Sequence, residues 1–227
     1  MFRKSICAAV LSVLLALPGG AFAADPGKPE PFWVTIRPKD GAPESARPIP
    51  GARHSVFVPV FRNRDMKTTV PYSKEQFDKL RIGWDGFFEK AQTAAHRWMR
   101  EVVPSFHLDP KTGKPVYGVI HVEHPLTAGL IFAPSFPALF QDALGTKDLV
   151  AVVPDQHSIF VFPAKQSLVA SFGDLVAAAY GDALGKGNAA SAELFFITDK
   201  EKGIHVVGGF DGRVAPPKPE EKSESGE

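Results

Sequence analysis

An α+β fold is predicted for this chain: an antiparallel sheet built from hairpins, with helices packed on one face. Three features predict it. Strand-like runs come in neighbouring pairs separated by short polar turns. Stretches with apolar residues at three- and four-residue spacing stand between those pairs. Single strands do not alternate with single helices in the way that builds a parallel sheet.

The elements follow in order. Residues 55–61 (SVFVPVF) are β-rich, with Val56, Val58 and Val60 on one face and Phe57 and Phe61 on the other. Pro59 has no N–H for a ladder, which predicts an edge strand or a bulge. Ser73 with Gln76 three residues on forms a capping-box pattern, so a helix is expected to start near Lys74. Gly83 and Gly86 are expected to interrupt it. The stronger helix covers residues 87–102, where Phe87, Phe88, Ala91, Ala94, Ala95, Trp98, Met99 and Val102 form one stripe. Pro104 ends it.

Two strands are expected next, over 116–122 and 127–132, joined across His124-Pro125. A short helix is expected near 136–143. Residues 148–154 (DLVAVVP) read as a near-continuous apolar strand, Asp155-Gln156 as a turn, and 158–163 (SIFVFP) as the hairpin partner. A helix over 167–184 buries Leu168, Phe172, Leu175, Val176, Ala179 and Tyr180, and Gly185 and Gly187 end it. Residues 193–198 and 204–207 close the chain as a last hairpin. In outline the order gives two similar ββαββ halves. No residue-level repeat accompanies it, so chance similarity of order is the simpler account.

The ends read differently. Residues 1–23 carry Arg3 and Lys4, an apolar run of about a dozen residues, a Pro-Gly-Gly break and Ala21-Phe22-Ala23, the pattern of a cleaved export signal. The apolar run falls well short of the roughly 20 residues a membrane span needs. Residues 24–54 form a Pro/Gly-rich arm around one short strand at 32–36, residues 55–212 the α+β domain, and 213–227 a disordered tail without a large apolar side chain.

Cleavage after Ala23 removes Cys7, the one cysteine, and leaves a chain without disulfides. It also takes the 26 basic residues to 24 against 25 acidic, a formal charge of −1. No electrostatic bias toward nucleic acid remains. No later stretch is long enough to span a membrane. The expected location is the periplasm or the medium.

A family resemblance enters at the C-terminal part. Residues 148–163 (DLVAVVPDQHSIFVFP), the helix after them, residues 192–198 (AELFFIT) and the last short strand resemble the end of the bacterial domain-of-unknown-function family 1444. Residues 54–98 resemble an upstream part, which brings coverage to about residues 55–210. The shared motifs are patterned hydrophobics with one Val-Pro-Asp turn. The resemblance implies an α+β fold and no catalytic residue, because the family has no established activity. This chain departs from the family's cytosolic pattern in carrying an export leader, so an intracellular role would not carry over.

The densest polar group is His121-Val122-Glu123-His124. On a strand His121 and Glu123 share a face and His124 takes the other. With a third ligand from His107, His157 or His205 they could hold zinc or nickel. The spacing matches no helical zinc motif, and an ordinary polar strand end explains it more simply. The His-x-Glu of zinc deaminases requires a Pro-Cys-x-x-Cys partner, which the mature chain lacks. Asp155-Gln156-His157 could offer an acid/base pair, but aspartate at such a tip more often turns the chain. Ser135 and Ser158 lie nearest the histidines in sequence, and neither sits in a G-x-S-x-G elbow.

Gly185-Lys186-Gly187-Asn188 resembles a phosphate loop, but the glycines follow a helix and precede a strand, which makes them a helix stop. Trp84 and Trp98 read as core, and Trp33 as the residue that pins the arm to the body. No cofactor fingerprint is present. The functional expectation is a non-catalytic binding or envelope-associated domain with a protein or small-molecule partner in the cell envelope. The alternative is a metal-assisted hydrolase using His121, Glu123 and His124.

Overall fold

The computed structural model describes residues 30–62, 68–197 and 204–210. The expected export signal, the start of the arm, the expected tail and residues 63–67 and 198–203 lie outside the described residues.

Two antiparallel sheets organise the chain. The first contains β1 (Glu30–Pro38), β2 (Arg47–Pro48), β3 (Ser55–Arg62) and β4 (Val70–Pro71), in the order β1-β3-β2 with β4 also on β3. The second contains β5 (Ser105–Leu108), β6 (Pro115–His121), β7 (Leu149–Asp155), β8 (Ser158–Pro163), β9 (Glu193–Ile197) and β10 (His205–Gly209), in the order β10-β9-β7-β8-β6-β5. The α+β class read from the sequence holds.

The arm contributes more than a pinned residue. β1 pairs with β3 along its length, from Glu30 opposite Arg62 to Pro38 opposite Ser55. Trp33, Val34 and Ile36 are buried in the main core. Pro59 does not push β3 to an edge. On the side away from β1, β2 meets Val56 and Phe57 while β4 meets Val60 and Phe61, so proline falls at the gap between two short partners. Its carbonyl still accepts from Tyr72 N–H at 3.0 Å, and the missing donor leaves no ladder position empty.

Helix α1 (Lys74–Lys79) starts with the expected capping box: Gln76 N–H donates to Ser73 Oγ at 3.2 Å, and Ser73 N–H donates to Gln76 Oε1 at 2.9 Å. Arg81, at φ 56°, turns the chain into α2 (Gly83–Met99), which therefore begins earlier than expected and runs through Gly86. Phe87, Ala91, Ala94, Ala95 and Met99 bury its inner face against β1. Trp84 stacks on Phe57, Phe87 and Phe88 around it, and Phe57 lies tilted against Phe88.

Residues 127–132 form a 3-10 helix, Thr127–Phe132, where a strand was expected. All six of its residues are buried, so no alternation of faces is needed. Thr127 Oγ1 donates toward the carbonyls of Val122 and His124, at 3.1 and 2.9 Å, and tightens the entry. The turn is wedged between β1, α2 and β8. Gly129 permits the fit, because a Cβ there would overlap the Trp33 indole and the Val34 carbonyl.

Helices α3 (Ala138–Leu144), α4 (Gln166–Ser171) and α5 (Gly173–Gly185) complete the fold. Their placement corrects the expectation of helices on one face. On β7 and β8, Leu149, Ala151, Val153, Ile159 and Val161 enter the main core with α2, α3 and the first sheet. The alternate residues Val152, Phe160 and Phe162 form a second cluster with Tyr117, Val169 and Val176, under α4 and α5. Strands apolar on both alternations need cover on both sides. The first half runs β1-β2-β3-β4-α1-α2-β5-β6 and is divided between the sheets, whereas β7 to β10 share one.

Candidate functional site

A cleft of about 540 Å³ opens where the two sheets meet. One wall is the end of β1 with residues 40–43 and 68–71; the other is the β7-β8 hairpin tip with residues 184–189. Period-two alternation places Trp33, Thr35 and Arg37 on one face of β1. That face therefore runs from buried indole through a hydroxyl to a guanidinium at the cleft.

Arg37 is the unusual residue. Its Nη2 donates to Thr69 Oγ1 at 3.3 Å, while Nε is closed off from solvent without a hydrogen bond to the described residues. Burial pulls its pKa below the ordinary arginine value. No carboxylate among the described residues forms an ion pair with it. A half-buried cation with no internal counter-charge is normally avoided in a folded chain.

The opposite wall is built by turn chemistry. Asp155 Oδ1 accepts from His157 N–H at 2.6 Å, so the aspartate turns the hairpin, as the simpler reading of the sequence had it. Gln156 then holds the two sheets together. Thr35 Oγ1 donates to its Oε1 at 2.7 Å, and its Nε2 donates to the Ile36 carbonyl at 2.9 Å. Its backbone N–H donates to Asn188 O at 3.1 Å. α5 stops at Gly185, its last residue: Gly187 follows with φ 70°, and Asn188 N–H returns to Ala183 O at 3.1 Å. That stop sets Asn188 in the cleft wall.

His157 Nδ1 and Asn188 Oδ1 are both closed off from solvent without a hydrogen bond, like Arg37 Nε. Three lining residues thus carry buried polar atoms without a hydrogen-bond partner among the described residues. Sequence reading singled out His157, placed Asn188 only in a helix stop, and passed over Arg37. The signal for Arg37 was its place two residues beyond Thr35, on a strand read as part of an arm.

The histidine cluster lies elsewhere. His121 Nδ1 is 2.9 Å from Ser158 Oγ, its cross-strand neighbour, and Nε2 is 3.8 Å from Glu123 Oε1. The order Ser-His-Glu invites comparison with a nucleophilic triad. However, Ser158 is buried within the sheet, the Glu123 side chain is 84% exposed, and neither cleft is lined by these residues. His124 turns inward against Trp98, with ring centroids 4.3 Å apart, and its Nδ1 accepts from Leu126 N–H at 3.2 Å. Burial, then the charge of Arg62 and then His157, lower its pKa to about 4.

His107 stacks on Tyr117, and His205 lies against Phe196. His96 Nδ1 meets Ser135 Oγ at 2.8 Å. Among the described residues no three or more His, Cys, Asp or Glu side chains gather as a metal site would require. The sequence-predicted pair His121 and Glu123 is brought together; His124 is not joined to it by a third ligand.

A second cleft of about 360 Å³ borders Glu193. This buried carboxylate accepts from Arg53 N–H at 2.7 Å, His54 N–H at 3.2 Å and the Ser55 hydroxyl. It is a satisfied structural tie. No helix among the described residues is long and apolar enough to cross a membrane. No family model, curated protein or solved structure matches the chain.

Proposed function

We propose that this chain is an exported, non-catalytic binding domain whose ligand occupies the Arg37 cleft. One observation carries the reading: Arg37, half-buried in the wall of the larger cleft, has no counter-charge among the described residues. His157 and Asn188 line the same space, with their Nδ1 and Oδ1 atoms closed off from solvent. A volume of about 540 Å³ suits a small molecule or a short peptide segment. The cleft lies at the junction of two sheets joined by Gln156, which gives it rigid walls.

The leader pattern in residues 1–23 supports placement in the periplasm or the medium, where the ligand would be met. Native mass spectrometry of protein recovered from the fractionated envelope tests both parts. The expected result is a chain shortened by cleavage after Ala23, carrying a non-covalent adduct that Arg37→Gln lacks. Uncleaved chain in the cytosol, or an adduct carried equally by Arg37→Gln, would contradict the reading.

A further inference from the structure

Resting on that cleft assignment, we propose that His124 is an acid-operated latch on one wall of the Arg37 cleft. Neutral, it closes the loop that holds the β7-β8 tip in place; protonated, it lets that wall go. The loop spans residues 122–128, and two of its N–H groups hold the tip. Val122 N–H donates to His157 O at 2.9 Å, and Ala128 N–H donates to Gln156 O at 3.2 Å. Pro125, between them in sequence, lines the cleft with Gln156 and His157. One wall of the cleft therefore stands on this loop.

His124 closes the loop at three points. Its N–H donates to Val122 O at 2.6 Å and its carbonyl accepts from Thr127 N–H at 3.1 Å. Its Nδ1 accepts from Leu126 N–H at 3.2 Å, a bond open only to the tautomer protonated on Nε2. A second proton, on Nδ1, sets donor against donor. The ring is 8% exposed and packs on Trp98 of α2, so little water reaches a new charge. Arg62 acts on it from β3 and His157 from the tip, and each, when charged, opposes a charge on the imidazole. Glu30 of β1, opposite Arg62, meets Arg97 of α2 at 3.5 Å. Opening the loop hydrates the imidazole and returns it from about 4 toward its ordinary 6.5. Between those values the open loop binds more protons than the closed one, so acid favours opening; below about pH 4 the bias stops growing.

The test is amide hydrogen exchange on the ligand-free chain from pH 7 to 4, each rate taken relative to that amide's intrinsic rate. Leu126 and Ala128 report the loop, and Gln156, whose N–H donates to Asn188 O, reports the wall. Their opening equilibrium is expected to rise about a hundredfold across that range, while Val150 and Phe162 in the β7-β8 ladder stay better protected. His124→Gln, neutral throughout, should show no such rise, and His157→Gln should keep it. Circular dichroism checks that both variants fold. Should His124→Gln fail to, an NMR titration of the wild-type imidazole nitrogens decides: His124 should gain its Nδ1 proton in step with the lost protection at Leu126. Protection that stays constant, falls equally along the ladder, or follows His157 instead of His124 overturns the latch. None of those results involves Arg37, so the cleft reading is left to its own adduct experiment.

Discussion

Ser55 opens β3 and Glu193 opens β9, and the hydroxyl of the first donates to the carboxylate of the second across the boundary between the sheets. Arg53 and His54 direct their N–H groups at the same carboxylate, and Glu193's own N–H donates to Ser191 Oγ at 3.0 Å. Glu193→Ala leaves the buried Ser55 hydroxyl and the part-buried Arg53 and His54 N–H groups without this acceptor, with a loss of about 2 kcal/mol. Glu193→Gln keeps one acceptor and is expected to lose about half as much. Urea unfolding with an unchanged m value measures both; a Glu193→Ala midpoint equal to the wild type would refute the tie.

At the other end of the junction, Gln156 performs a similar task with a neutral group. Gln156→Ala removes the hydrogen bonds to Thr35 and Ile36, and a loss of about 1–2 kcal/mol is expected. Because the same residue fixes one cleft wall, hydrogen exchange at Asn188 should accelerate in the variant. Protection equal to the wild type at that amide would show that the wall stands without it.

Two glycines separate close approach from mere helix content. At Gly129 a Cβ meets the Trp33 indole and the Val34 carbonyl, so Gly129→Ala should lose at least about 2 kcal/mol. Gly181 lies inside α5 with open space around its missing Cβ, so Gly181→Ala should gain up to about 1 kcal/mol. Thermal unfolding of the pair checks the signs. Equal shifts would mean that the 3-10 helix does not press on β1.

His124 makes stability depend on pH in a defined window. Its folded pKa is about 4 against an ordinary 6.5, so between those values the unfolded chain binds more protons than the folded one. Its contribution is complete above about pH 6.5, falls as pH drops through the window, and levels off below about pH 4. Protonation would also deprive Leu126 N–H of its acceptor on Nδ1. His124→Gln should flatten this part of the curve in urea titrations run from pH 7 to 4. An unchanged slope would place the titrating group elsewhere.

Local chemistry was the most legible part of the sequence. Ser73 and Gln76, the Asp155 turn, the stop at Gly187 and the apolar pair β7-β8 all follow from short-range rules, and the structure places them accordingly. Packing was less legible. Residues 127–132 look like a strand until Trp33 and Val34 press on Gly129, a contact across 96 residues. The apolar alternate residues of β8, Phe160 and Phe162, signalled cover on both faces, but hairpin order alone did not reveal it. The cleft was hidden for the same reason. His157, Asn188 and Arg37 come from three distant segments, and only the sheet junction unites them.

The most direct measurement is the stability of Arg37→Met without ligand, by urea unfolding. If the guanidinium awaits a ligand, an apolar side chain of similar length relieves an uncompensated charge, and stability stays within about 0.5 kcal/mol or rises. A loss of about 2 kcal/mol or more would make Arg37 a structural residue and contradict the binding account.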